Sequence, residues 1–350
     1  MKSIFERVKI QQKLHLPFVI YRKPNSKTLI GIFQKDDHLY FSEDFTEKGF
    51  VFAPFSGVPI CFPFDKSEVK FNNIYFKNYT EVSHQVETLL EEKEQFKALV
   101  EKGIEVIKAG IFNKIVISRR ETVAVPDFDL ETTFEKMIHN YTTAFCYCWY
   151  HPKIGLWMGA TPEQLFKAKE FKFQTMALAG TQSYSGEEEV LWKSKERKEQ
   201  EFVTEFIIDK LKKETKEVQV SEPYTARAGN LLHLRTDIEG ILHQDSNLKN
   251  VIDILHPTPA VCGLPKDLAK AFIEQNEGYD REFYTGFLGE INLDYATNDI
   301  ASDLYVNLRC MKIEDNMANL FIGCGITKDS KPELEWEETV NKAKTMKQIL

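Results

Sequence analysis

The sequence has little that would place it in a membrane, on a nucleic acid or outside the cell. Its first twenty residues, MKSIFERVKIQQKLHLPFVI, carry a charge every few positions. They therefore contain neither the apolar core of a secretory signal nor a spanning helix. There is no dense Lys/Arg cluster, and 45 Lys+Arg against 53 Asp+Glu give a formal net charge of -8. Neutralising phosphates takes a concentrated positive field, so a nucleic-acid or anionic-membrane partner is disfavoured. None of the six cysteines has a CxxC partner. Most lie in apolar runs and read as reduced core residues of a cytoplasmic protein. Cys146 and Cys148 share one face of a strand, but no second Cys or His pair completes a metal set. No tandem repeat, low-complexity tract or flexible linker interrupts the chain, which points to one continuous domain over residues 1–350.

What is present is a chain of 350 residues, 43% hydrophobic with 26 Phe, long enough to bury a core and too apolar for disorder. Residues 1 to about 80 read as short strands, such as LPFVIY from 16 and TLIGIF from 28, separated by polar turns. From about Ser83 to Ala109, Val86, Leu89, Leu90, Phe96, Val100, Ile104 and Ile107 recur at helical spacing. Strands follow at 114, 144, 154 and 171 with one short helix among them. Next come a long charged helix from about Gly186 to Lys213, a strand at 231, a helix ending at Leu255, and a Pro-rich turn. A helix over about 266–277, two strands within 303–326 and a closing helix from about Glu333 complete the chain. Strand after strand predicts antiparallel pairing, and the fold class is α+β, helices packed on extended sheets.

Several residues carry chemistry. Glu335, Glu338 and Lys342 fall on one face of the closing helix, and Glu196 and Glu199 repeat the i, i+3 spacing on the earlier one. Carboxylate oxygens suit a hard divalent cation if the two pairs converge; separately they are solvated helix faces. Lys114 shares a strand face with Val116 and Ser118, where burial would penalise its charge. Arg309 in LYVNLRCM needs a carboxylate from the protein or from a ligand. His256 opens the rigid turn HPTPAVCGLPK. Gly323 and Gly325 permit backbone N–H groups to face an anion. Thr161-Pro162-Glu163 has the signature of a helix start.

The series KIVISR, GATPE, LAGT, ERKEQEFV, HPTPAVCGLPK, REFYTG, LRC, GCGI and EWEETVNKAKTM resembles the chorismate-utilising enzymes, most closely their isochorismate synthase branch. It runs in order from Lys114 to the C-terminus, while residues 1–110 are motif-poor. The resemblance implies a single large α/β sandwich of two antiparallel sheets flanked by helices. It also implies an isomerase that converts chorismate to isochorismate for menaquinone or siderophore biosynthesis, with no obligate protein partner. It implies Mg²⁺ held by Glu199 and Glu338, with Glu196 and Glu335 in or near the same shell. Lys114 corresponds to the base that activates water for attack at C2, and Glu163 to the acid that protonates the departing C4 hydroxyl. Arg309 and Tyr284 match residues that hold the enolpyruvyl carboxylate, helped by backbone around Gly323 and Gly325. Gly180, Thr181, His256 and Lys342 match positions lining the site.

Aminating members lack the lysine at the place of Lys114 and carry Gly-Thr where this chain has Pro259-Ala260. Salicylate synthases keep that threonine, so Ala260 favours stopping at isochorismate. The alternatives are a salicylate synthase and a catalytically silent chorismate-binding protein. The segment NLDYATNDIASD (292–303) looks longer than in some relatives and is expected to reshape an entrance loop.

Overall fold

Strand residues Phe18–Tyr21 show how the sequence builds the architecture. Phe18 and Ile20 point into one apolar layer, and Val19 and Tyr21 into another, so a run apolar at every position is buried on both faces. The computed structural model describes residues 2–74, 90–184, 186–187 and 189–350. Among these, strands pair antiparallel in two sheets of nine and ten strands. The first runs Gly263–Leu264, Lys114–Ala124, Met317–Ile326, Cys310–Glu314, Gly155–Thr161, Phe145–His151, Phe18–Arg22, Thr28–Gln34 and Ser67–Asn73. The second runs Thr215–Val220, Leu231–Leu242, Lys172–Ser183, Gln164–Lys169, Ala301–Val306, Phe287–Ile291, Gly49–Ala53, Ile60–Pro63 and Tyr40–Phe41, with Tyr224–Ala228 also on Leu231–Leu242.

An aromatic layer fills the space between the sheets, where Phe50, Phe52 and Phe62 of the second meet Tyr147, Trp149 and Trp157 of the first. Among the described residues seven α-helices cover the outer faces: α1 (Lys2–Lys13), α2 (Leu90–Lys108), α3 (Leu130–Asn140), α4 (Ser194–Leu211), α5 (Leu248–Leu255), α6 (Lys266–Asn276) and α7 (Pro332–Lys347). Helices α1, α3 and the end of α7 cover the first sheet, α4 and α5 the second, and α2 and α6 pack beside the strand of Lys114. The α+β reading and the two-sheet sandwich are both observed.

Four expectations change, and the first is that the two strands expected within 303–326 are three, Ala301–Val306, Cys310–Glu314 and Met317–Ile326. Residues 2–13 are a helix, because Ile4, Phe5, Val8 and Gln11 lie on one face that docks on the first sheet. Helix α4 begins at Ser194 and not near Gly186, because Val190 and Trp192 pack on Leu232 and Leu234 and Trp192 Nε1 donates to Thr225 Oγ1 at 3.0 Å. Thr161-Pro162-Glu163 starts no helix: it joins strand Gly155–Thr161 of one sheet to Gln164–Lys169 of the other. The helix expected over 83–109 is seen from Leu90, and its residues 83–89 lie outside the described ones.

Candidate active site

The chain crosses between sheets twice at one end of the sandwich, through Pro162-Glu163 and through Asn307–Arg309. The crossings are tied together, Val306 N donating to Glu163 O and Ala160 N to Arg309 O, each at 3.0 Å. Arg309 adopts a positive φ of 47°, a conformation disfavoured for a residue with a Cβ and held here by the flanking strands. Thr285, β-branched and fully buried, does the same at 61°.

These crossings wall a small cavity of about 50 Å³. Ten residues expected from the sequence line it: Glu163, Gly180, Thr181, Glu199, Ala260, Tyr284, Arg309, Gly323, Gly325 and Lys342. Glu196, Glu335 and Glu338 line the adjoining cleft of about 530 Å³, between α4 and the N-terminal turns of α7. Lys114 is fully buried behind Glu199, its Nζ 3.1 Å from Glu199 Oε1. His256 is not in the lining. Its ring packs edge-on against Phe287 at 4.9 Å, and burial, with the nearby Lys266, pushes it down to about 3. The segment 292–303 also lies elsewhere. Ala301 pairs with Lys169 at the strand ends opposite Gln164, so this loop does not border the cavity.

Charges in the cavity are unevenly matched. Burial pushes the Glu163 carboxyl up to about 7, against the pull of Lys114, Arg309 and Lys342. Arg309 is half-buried, and among the described residues no carboxylate lies within ion-pair distance of it; its Nη2 stands 3.4 Å from His233 Nε2. His233, on strand Leu231–Leu242, was not singled out in the sequence. Burial first, then Arg309 and Lys342, push it down to about 3, so its ring is neutral. Its Nδ1 lies 2.9 Å from Gly180 O, an acceptor only, which puts the proton on Nδ1 and turns the Nε2 lone pair to Arg309. Lys342 Nζ pairs with Glu338 at 2.7 Å and donates to Gly323 O at 3.0 Å.

The glycines are required by space. A Cβ on Gly325 would lie 2.0 Å from Glu199 Oε1, and one on Gly323 2.7 Å from the Tyr284 hydroxyl. Gly180, at φ 72°, faces Glu196 of α4 at a similarly close approach. Arg281 fastens the frame, donating to Val116 O and Val261 O at 2.9 Å and pairing with buried Glu277.

The four carboxylates on α4 and α7 are hard oxygen donors of the kind a Mg²⁺ ion takes. Glu196 Oε2 and Glu335 Oε2 are buried without a hydrogen-bond partner, so the donor set has unused capacity. Glu199 is held below the usual carboxylate range because Lys114, Lys195 and Lys342 outweigh its burial. Among the described residues no three His, Cys, Asp or Glu side chains already stand clustered as a cage. The residues present fit such an ion, given side-chain adjustment.

The fold is thus an antiparallel sandwich enclosing a buried acid, an arginine with no carboxylate partner among the described residues, and a carboxylate set. The model of the family described as "Chorismate binding enzyme" matches residues 65–350, and the chain belongs to that family. It is 29% identical over 269 residues to isochorismate synthase MenF of Escherichia coli K12, covering 74% of this chain and 61% of that protein. With isochorismate synthase DhbC of Bacillus subtilis it shares 31% identity over 273 residues, 73% of this chain and 67% of the relative. The chain thus spans about three-fifths of the length of MenF. Among solved structures, DhbC of Bacillus anthracis superposes with TM-score 0.79 at 24% identity, covering 96% of both chains. Anthranilate synthase component I of Streptococcus pneumoniae TIGR4 superposes at 0.68 with 19% identity, covering 94% of this chain and 89% of that one. These likenesses establish the chorismate-utilising fold.

Proposed function

We propose that the protein is a Mg²⁺-dependent isochorismate synthase, adding water at C2 of chorismate as the C4 hydroxyl leaves. The observation that carries this reading is Glu163, a buried carboxyl held near neutrality in the same cavity as Arg309, Tyr284 and Lys342. Hydroxide is a poor leaving group unless protonated as it departs, and a carboxyl balanced near pH 7 can give that proton and be reloaded. Lys114 is the base: as the neutral amine, formed when its proton leaves the pair with Glu199, it takes a proton from the attacking water. Arg309, which has no carboxylate of its own, binds the enolpyruvyl carboxylate, with Tyr284 and the backbone beside Gly323 and Gly325.

Glu199 and Glu338 would hold Mg²⁺, with Glu196 and Glu335 close by; the ion when bound supplies positive charge to the ring carboxylate. The cavity of about 50 Å³ is far below the usual size of a ligand pocket, so chorismate enters only as side chains lining the cleft between α4 and α7 move. Ala260 stands in the lining, and with it we infer release of isochorismate without pyruvate elimination. No described helix is long and apolar enough to cross a membrane. All six cysteines are free and buried, which supports a reducing, cytoplasmic setting. Strands from residues 18–73 pair within both sheets, which supports treating the chain as one catalytic domain.

The test is Lys114→Ala with chorismate and Mg²⁺. Turnover should vanish while circular dichroism stays native, and wild-type turnover would remove the mechanism. Pyruvate released stoichiometrically by the unmutated protein would move it to the salicylate synthase branch.

A further inference from the structure

Helices α4 and α7 bring four carboxylates toward one another, and each needs positive charge. Glu199 has Lys114, and Glu338 has Lys342. Glu335 is treated differently. Although only 1% exposed, it is bridged across the helices by Lys195 through Oε1, while its Oε2 has no partner. The Lys195 ammonium feels Glu335, Glu338 and Glu199 together, so its one positive charge is shared among carboxylates of both helices. Its side chain is 23% exposed and borders the cleft of about 530 Å³, so it has somewhere to go.

We propose that Lys195 is a resident counter-cation: it neutralises the α4–α7 carboxylates whenever a divalent cation is not bound, and it must withdraw into the cleft when one binds. Lys195 is thus a positioning residue that sets cation affinity. The inference rests on the reading that these carboxylates take Mg²⁺. Four carboxylates facing one another with too little positive charge repel, and a lysine tethered on the same helix relieves that without closing the site permanently. The cost is competition, since a divalent cation must displace the ammonium.

The experiment is calorimetric titration of MgCl₂ into chelator-treated protein, without substrate, for wild type, Lys195→Met and Lys195→Arg. Lys195→Met removes the charge at similar length and should bind Mg²⁺ roughly tenfold tighter or better, while Lys195→Arg stays near wild type. The thermal midpoint of Lys195→Met without Mg²⁺ should fall, and saturating Mg²⁺ should raise it more than in wild type. Should Lys195→Met unfold without the cation, refolding on addition of Mg²⁺ is the same result by another readout. Equal or weaker binding by Lys195→Met, or a variant that stays unfolded with Mg²⁺, would overturn the role of Lys195 alone. Absence of Mg²⁺ binding by all three proteins would overturn the cation reading as well.

Discussion

Glu163→Gln should make the protein far slower and, at alkaline pH, more stable. The Glu163 carboxyl is 4% exposed and burial pushes it up to about 7 from an ordinary 4.5. A carboxyl raised in the folded state binds protons there that the unfolded chain has already lost. Its contribution is therefore most favourable below the unfolded value, is lost as pH rises from about 4.5 to about 7, and is constant beyond. At 1.36 kcal/mol per unit, the ionised carboxylate costs the fold about 3 kcal/mol at pH 8. Glutamine keeps the shape and carries no charge, so it escapes that cost. Urea unfolding of wild type and Glu163→Gln, at pH 5 and pH 8 without divalent cation, should show nearly equal stability at pH 5. At pH 8 the variant should lead by about 2–3 kcal/mol. Chorismate turnover by the variant should fall by roughly 10²–10⁴, the usual worth of a positioned acid. The reasoning fails if the two proteins have parallel stability–pH curves, because the burial of this carboxyl would then carry no penalty.

Gly325→Ala should push Glu199 off Lys114, since the new Cβ would sit 2.0 Å from Glu199 Oε1 and 3.2 Å from Lys114 Cε. We expect a loss of about 1–3 kcal/mol in thermal unfolding and a weakened Mg²⁺ response, and an unchanged protein would contradict the packing seen here. His233→Leu removes the acceptor facing Arg309 and the donor to Gly180 O. Steady-state kinetics should show KM for chorismate rising by more than kcat falls, and the reverse split would place His233 in proton transfer. Arg281→Met strands the carboxylate of Glu277, which is 1% exposed, at a cost of about 3–5 kcal/mol readable in denaturant titration.

Much of this was legible in the sequence because sheet periodicity is local. The runs at 16, 28, 114, 144, 154, 171 and 231 all became strands, each announced by apolar or alternating residues. The helix over Lys2–Lys13 had its signal too, but four inward residues among many charges are easily read as a broken strand pattern. Thr215–Val220 and Tyr224–Ala228 are largely exposed and carry little patterning, so only pairing with Leu231–Leu242 defines them. Pro162-Glu163 misled for a physical reason. Local rules favour a helix start, whereas strand pairing on either side stretches the segment between two sheets. The same limit separates the two histidines. His256 stood in a conspicuous Pro-rich turn yet packs on Phe287. His233 looked like one more strand residue, and only the register against Lys172–Ser183 brings it to Gly180. Lys195 was hidden among the charges of α4, because its partner lies 140 positions away.

The central claim is hydration of chorismate at this cavity, and the most direct measurement is chromatography of chorismate incubated with purified protein, with and without Mg²⁺. The account predicts a Mg²⁺-dependent approach to a chorismate–isochorismate equilibrium, with no pyruvate, no conversion by Lys114→Ala, and conversion by Glu163→Gln slowed by roughly 10²–10⁴. Tight chorismate binding without any product from the unmutated protein would contradict it and leave a silent binding protein on the same fold.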